Sequence, residues 1–170
     1  MGSTDTTSTL VRGYADSASD ERPLKGYALV LAGYAGAAGT VALAARLLGR
    51  RLPERPAPGD LLLLALATHK LSRLLTKDAV TSPLRAPVTA FEGPAGEAEL
   101  NERPRGRGAR HAIGELLTCP FCTAVWVASG LASGLVFVPR LTRFGMGIAS
   151  AIAGADFLHL GYDAAKRLAG

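Results

Sequence analysis

Two cysteines stand close together and give the chain its most evident candidate for chemistry. Cys119 and Cys122 are separated by Pro120 and Phe121, and the sequence contains no other cysteine. Proline is favoured at the first position of a helix, so the spacing predicts Cys119 at a helix N-cap and Cys122 in the first turn. The helix dipole favours a thiolate at such a position. The pair is therefore a candidate for thiol-redox chemistry or metal binding.

Zinc is the one cofactor that these residues suggest. A structural zinc site needs four ligands, and the cysteine pair supplies two. His111 and His69 are candidates for the others, or two copies of the chain could each contribute one pair. A third interpretation is purely structural, with the sulfurs as small packing groups and Trp126 as an anchor at a membrane interface. The sequence leaves these interpretations open.

A second group of candidates is ionisable and lies within apolar stretches. His69, Lys70 and Arg73 follow one apolar run, and Asp156 and His159 lie within another. Ionisable side chains at membrane depth normally pair with one another or face water. We therefore expect a charge network in which Asp156 pairs with Lys70 or Arg73. The alternative is that each group extends separately to the lipid headgroups.

Composition limits the kind of protein that can carry these residues. The chain has 170 residues, of which 48% are hydrophobic, 19% charged and 6% aromatic, with 20 glycines. This balance is typical of a small helical membrane protein. The net charge of +5 does not indicate nucleic-acid binding, because the basic residues flank apolar runs and no aromatic residues are interleaved with them for base stacking.

The apolar runs predict an all-α, polytopic membrane protein. About 20 apolar residues span a bilayer core, and four segments suggest a small bundle of about four transmembrane helices. Their predicted bounds are about 27–48, 60–77, 122–138 and 144–162. Gly130 and Gly134 add a GxxxG contact face to the third helix.

The remaining segments are polar. Residues 1–22 are rich in Ser, Thr and Asp and are expected to form a disordered tail. Residues 23–170 are then one transmembrane domain, in which residues 78–113 form a flexible loop because prolines and glycines interrupt regular helix.

Charge around the predicted helices sets their orientation. Eleven Lys and Arg residues lie near the side that holds both termini and the long loop, and six lie near the opposite side. The positive-inside rule therefore predicts cytoplasmic N and C termini in a multi-pass protein of the cell membrane.

Two blocks of sequence resemble a known family. One covers residues 67–78 and 82–87, ATHKLSRLLTKD and SPLRAP, and the other covers residues 114–126, GELLTCPFCTAVW. Together they resemble the signature of a small bacterial integral-membrane family catalogued as a domain of unknown function, some of whose members are labelled sporulation proteins. The resemblance extends over about residues 60–165. It implies an integral membrane protein and supplies no established activity.

No catalytic motif of a hydrolase and no phosphate-binding glycine loop is present in the sequence, which favours a non-enzymatic role. We expect an integral membrane protein that is structural or partner-binding. Its partners would be the lipid bilayer and either a second copy or another membrane protein, in the envelope or sporulation process that the resemblance implies. The alternative is a thiol-redox or metal-binding membrane protein.

Overall fold

The computed structural model describes residues 23–51 and 53–170. Within them the chain forms six α-helices and one two-stranded antiparallel sheet. The helices are α1 (Leu24–Leu47), α2 (Pro58–Thr76), α3 (Ser82–Arg85), α4 (Ala109–Thr118), α5 (Pro120–Phe137) and α6 (Pro139–Ala169). The strands are β1 (Thr89–Gly96) and β2 (Glu99–Pro104), and a 3-10 turn at Ala79–Thr81 precedes α3. The tail predicted for residues 1–22 lies outside the described residues.

Three of the helices, α1, α5 and α6, are long and apolar enough to cross a membrane. Prolines begin α2, α5 and α6, where a missing backbone N–H removes no hydrogen bond. The second of the four predicted spans, α2, has 19 residues but carries Asp60, Lys70 and Arg73. Length and apolarity therefore qualify three of the four predicted spans.

The centre of the bundle is α2, which packs against both α5 and α6. Ala67 of α2 is buried against Met146 and Ala149 of α6, and leucines of α2 and α5 surround this core. Alanine at the contact lets the helix backbones approach closely.

The segment 78–113 differs from the flexible loop that the sequence predicted. It contains the 3-10 turn, α3, both strands and the first residues of α4, so the fold is mostly helical and not purely all-α. Thr89 of β1 pairs with Pro104 of β2, and Gly96 pairs with Glu99 next to the turn. The hairpin is tied to the end of α2 because Leu100 N–H donates to the Lys77 carbonyl oxygen at 2.8 Å. Irregular register near Gly93 and Pro94 explains why no strand pattern was apparent.

The last helix also differs from its predicted bounds. It was expected to begin near residue 144, yet α6 begins at Pro139, directly after Val138 caps α5. Of the predicted GxxxG pair, Gly134 packs against Thr142 of α6, whereas no other atom lies within 4 Å of an added Cβ at Gly130. Of these two glycines, Gly134 is therefore the one in close contact with α6.

Candidate functional site

The two thiols lie at the junction of α4 and α5. Cys119 is the N-cap of α5, as the sequence predicts, and its Sγ accepts a hydrogen bond from the Cys122 backbone N–H at 3.3 Å. The two Sγ atoms are 2.6 Å apart, and both cysteines are free thiols. Thr123 strengthens the junction because its hydroxyl donates to the Leu116 carbonyl oxygen at 2.6 Å. The helix start therefore fixes both sulfurs side by side.

Both cysteines line a groove between α1, α4 and α5, which we call the thiol groove. Its volume is about 810 Å³, and apolar side chains form most of its wall. Tyr34 of α1 closes one part of it, with its ring edge-on to Trp126 at a centroid distance of 5.2 Å. The Tyr34 hydroxyl and the Ser129 hydroxyl are hydrogen-bonded at 2.7 Å. The thiols therefore face an apolar, aromatic-lined space.

The predicted additional metal ligands do not join the thiols. His111 Nε2 lies 3.6 Å from Glu115 Oε1 within α4. The ring of His69 stacks on Phe157, with centroids 5.8 Å apart. The described residues contain no group of three or more His, Cys, Asp or Glu side chains that could hold a metal ion. Among the described residues, no third ligand therefore lies beside the cysteine pair.

The predicted charge network separates into distinct pairs. Asp156 was expected to pair with Lys70 or Arg73. Its partner is Lys70, whose Nζ lies 2.8 Å from Asp156 Oδ2. Arg73 is bound instead to both carboxylate oxygens of Glu99 in β2, at 2.6 and 2.7 Å. His159 is exposed on α6.

A buried arginine, which was not among the predicted site residues, links most of the segment that follows α2. The side chains of Arg85 and Glu102 are 1% and 5% exposed. Arg85 Nε and Nη2 donate to the two Glu102 carboxylate oxygens at 2.7 and 3.2 Å. The same guanidinium donates to the carbonyl oxygens of Leu75 and Asp78 and to the Thr81 hydroxyl. One side chain therefore joins α2, the 3-10 turn, α3 and β2. The available signal was its place in the block SPLRAP.

Taken together, the fold and the site define a mostly helical protein with three apolar helices of membrane-spanning length and a free thiol pair at the start of one of them. A family model described as "Protein of unknown function (DUF1360)" matches residues 63–162. The chain belongs to this family, which confirms the resemblance.

The chain is also similar to a sporulation protein. Sporulation protein YjcA of Bacillus subtilis (strain 168) is 35% identical over an alignment 88 residues long, which covers 49% of this chain and 74% of that protein. No solved structure matches the chain significantly. The family match covers α3, the hairpin, α4, α5 and most of α2 and α6. It therefore includes the buried arginine, the thiols and the Lys70–Asp156 pair, whereas α1 lies outside it.

Proposed function

We propose that the chain is an integral protein of the cell membrane that crosses the bilayer four times, through α1, α2, α5 and α6. Its role is structural or partner-binding within the membrane. In this arrangement the hairpin and both termini lie in the cytoplasm.

The observation that carries the proposal is the uncovered apolar surface of α1. None of the residues in its most apolar stretch is buried, and Leu29 and Leu31 are 62% and 68% exposed. A continuous apolar surface on a helix of 24 residues is costly in water, at about 25 cal/mol per Å². Hydrocarbon removes that cost.

The pairing of charges supports α2 as the fourth span. Lys70 is paired with Asp156 at 2.8 Å. At the other end of the helix, Arg143 donates to both Asp60 carboxylate oxygens, each at 2.8 Å. Ionisable groups inside a bilayer are tolerated when they pair within the bundle. Because α2 packs against both α5 and α6, these helices also shield part of its surface from lipid.

The excess of Lys and Arg beside the termini and the hairpin supports the cytoplasmic orientation. The name of the Bacillus subtilis relative supports a role in sporulation or the cell envelope. In this role the protein would act through a second copy or another membrane protein.

Membrane integration is tested by alkaline carbonate extraction of membranes from cells that express the full chain. We expect the protein to remain in the pellet and to be released only by detergent. Release by carbonate alone would contradict a spanning arrangement.

The thiol groove supports a second candidate function, in which the chain acts through Cys119 and Cys122 as a redox pair or as half of a metal site shared by two chains. The supporting observation is that both free thiols lie side by side on the wall of one groove. A dithiol so placed can close to a disulfide when an oxidant accepts two electrons. Two such pairs would supply the four sulfurs of a zinc site.

The two candidates are separated by metal content and free-thiol count on one detergent-purified sample prepared without chelator. Zinc at one ion per two chains, lost in Cys119→Ser, supports the shared site. A disulfide in protein from reducing cytoplasm supports redox chemistry. Two free thiols without metal, together with unchanged cellular function in Cys119→Ser/Cys122→Ser, would exclude both the redox pair and the metal site. The structural or partner-binding role would then remain.

A further inference from the structure

The connection between β2 and α4 is held against the first turn of α1. The carbonyl oxygen of Gly108 lies only 2.6 Å from the position of an added Cβ at Gly26, so the two backbones are in direct contact. Tyr27 of α1 and Pro104 of β2 also line the same groove. The connection therefore lies at the level where α1 begins.

This connection carries a concentration of exposed positive charge. Arg105 and Arg107 flank Gly106, and the side chain of Arg110 packs over that glycine, with its Cδ 2.7 Å from an added Cβ. Lys25, in the first turn of α1, is also exposed. We call Lys25, Arg105, Arg107 and Arg110 the basic patch.

The basic patch differs from the other basic residues of this region in its ion pairing. The other arginines of this region have carboxylate partners, since Arg73, Arg85 and Arg103 pair with glutamates. Within the residues that the structure describes, no ion pair involves a member of the basic patch. Its charge is therefore available to a ligand.

The backbone holds the patch in a defined shape. Gly106 and Gly108 have φ values of 88° and 58°, in the region that glycine adopts without strain. Arg110 Nε donates to the Pro87 carbonyl oxygen at 3.0 Å, which fixes its position while leaving its charge unpaired. Contacts within the chain therefore fix Arg110 and the backbone beside it.

We propose that the basic patch binds the headgroups of anionic phospholipids in the cytoplasmic leaflet. The inference rests on the proposed function, because it requires α1 to enter the bilayer at Leu24. At that depth the patch meets the phosphate layer, and each Lys or Arg near an anionic surface contributes attraction equivalent to about a fivefold gain in binding.

The test uses the single tryptophan of the chain. Trp126 lines the groove together with Tyr27 and Pro104, so lipids that bind at the patch lie near it. The full-length protein is reconstituted in phosphatidylcholine vesicles that contain a small fraction of a brominated lipid. This lipid is either phosphatidylglycerol or phosphatidylcholine, and the bromine on its acyl chains quenches tryptophan fluorescence. We expect brominated phosphatidylglycerol to quench Trp126 at a several-fold lower mole fraction than brominated phosphatidylcholine.

Variants assign the preference to the patch. Arg105→Gln/Arg107→Gln should remove most of it, by on the order of 20-fold in relative affinity if both arginines contribute fully. Arg105→Lys/Arg107→Lys should retain it because the charge is kept. Arg103→Gln is the matched control and should retain it too, since Arg103 is already paired with Glu92.

Equal quenching by the two lipids in the wild-type protein would overturn the proposal, and so would an undiminished preference in Arg105→Gln/Arg107→Gln. Failure of the proposed function has a different outcome. The wild-type protein would then not incorporate into phosphatidylcholine vesicles, and neither brominated lipid would quench Trp126.

Discussion

Breaking the Arg85–Glu102 pair should be one of the most destabilising single changes in the chain. Arg85→Met keeps the approximate volume of the side chain but removes its five hydrogen bonds. Among the described residues, the Thr89 hydroxyl is then the one side-chain donor left to the buried Glu102 carboxylate, at 3.1 Å. Removing one partner of a buried pair costs about 3–5 kcal/mol, because the other charge is left without compensation.

The hairpin contains its own control for this prediction. Arg103 and Glu92 also form an arginine–glutamate pair, but their atoms are 3.5 Å apart and their side chains are 65% and 50% exposed. An exposed pair contributes about 0–1 kcal/mol. Arg103→Met should therefore lower the free energy of unfolding by less than about 1 kcal/mol.

The assay is equilibrium unfolding by SDS in mixed micelles, followed by far-UV circular dichroism. The double variant Arg85→Met/Glu102→Leu should lose less than the sum of its two single variants, because no buried charge remains unpaired. Equal effects of Arg85→Met and Arg103→Met would refute the assignment. Strict additivity in the double variant would also refute it.

Three further contacts are tested by the same unfolding assay. Lys70→Met and Asp156→Asn should each destabilise the protein, with a coupling of about 1 kcal/mol between them that full additivity would contradict. Gly26→Val should separate α1 from α4 and cost on the order of 1–3 kcal/mol, since its Cβ would collide with a backbone carbonyl; wild-type stability would show that this contact is absent. Tyr34→Phe removes a hydrogen bond to α5 and should cost about 0.5–1.5 kcal/mol, and no loss would mean that water replaces the bond.

Local signals in the sequence predicted the parts of the fold that are determined by residues close together in the chain. The apolar run after Tyr27 is sufficient to predict α1, because length and hydropathy are properties of one segment. Pro120 after Cys119 is sufficient to predict the N-cap, which the structure confirms. In both cases the determining residues are neighbours in the chain.

The contacts that were not predicted join residues far apart in sequence. Arg73 meets Glu99, 26 residues later, and Arg85 meets Glu102, 17 residues later. Both glutamates lie on β2, which is held by β1 and by the end of α2. The irregular pairing near Gly93 hides these strands in the sequence. Many charged residues with prolines and glycines then look like a flexible loop, although several of those charges are what hold the segment in place.

A membrane crossing by α2 predicts that residues before and after this helix are accessible from opposite sides of the bilayer. Cys119→Ser/Cys122→Ser gives a chain without cysteine, into which Glu54→Cys or Glu97→Cys is introduced. Both glutamates are exposed, one before α2 and one at the hairpin turn. In intact protoplasts, a membrane-impermeant maleimide should label position 54 at once and position 97 only after lysis. Labelling of both positions from the same side would show that α2 does not cross the bilayer.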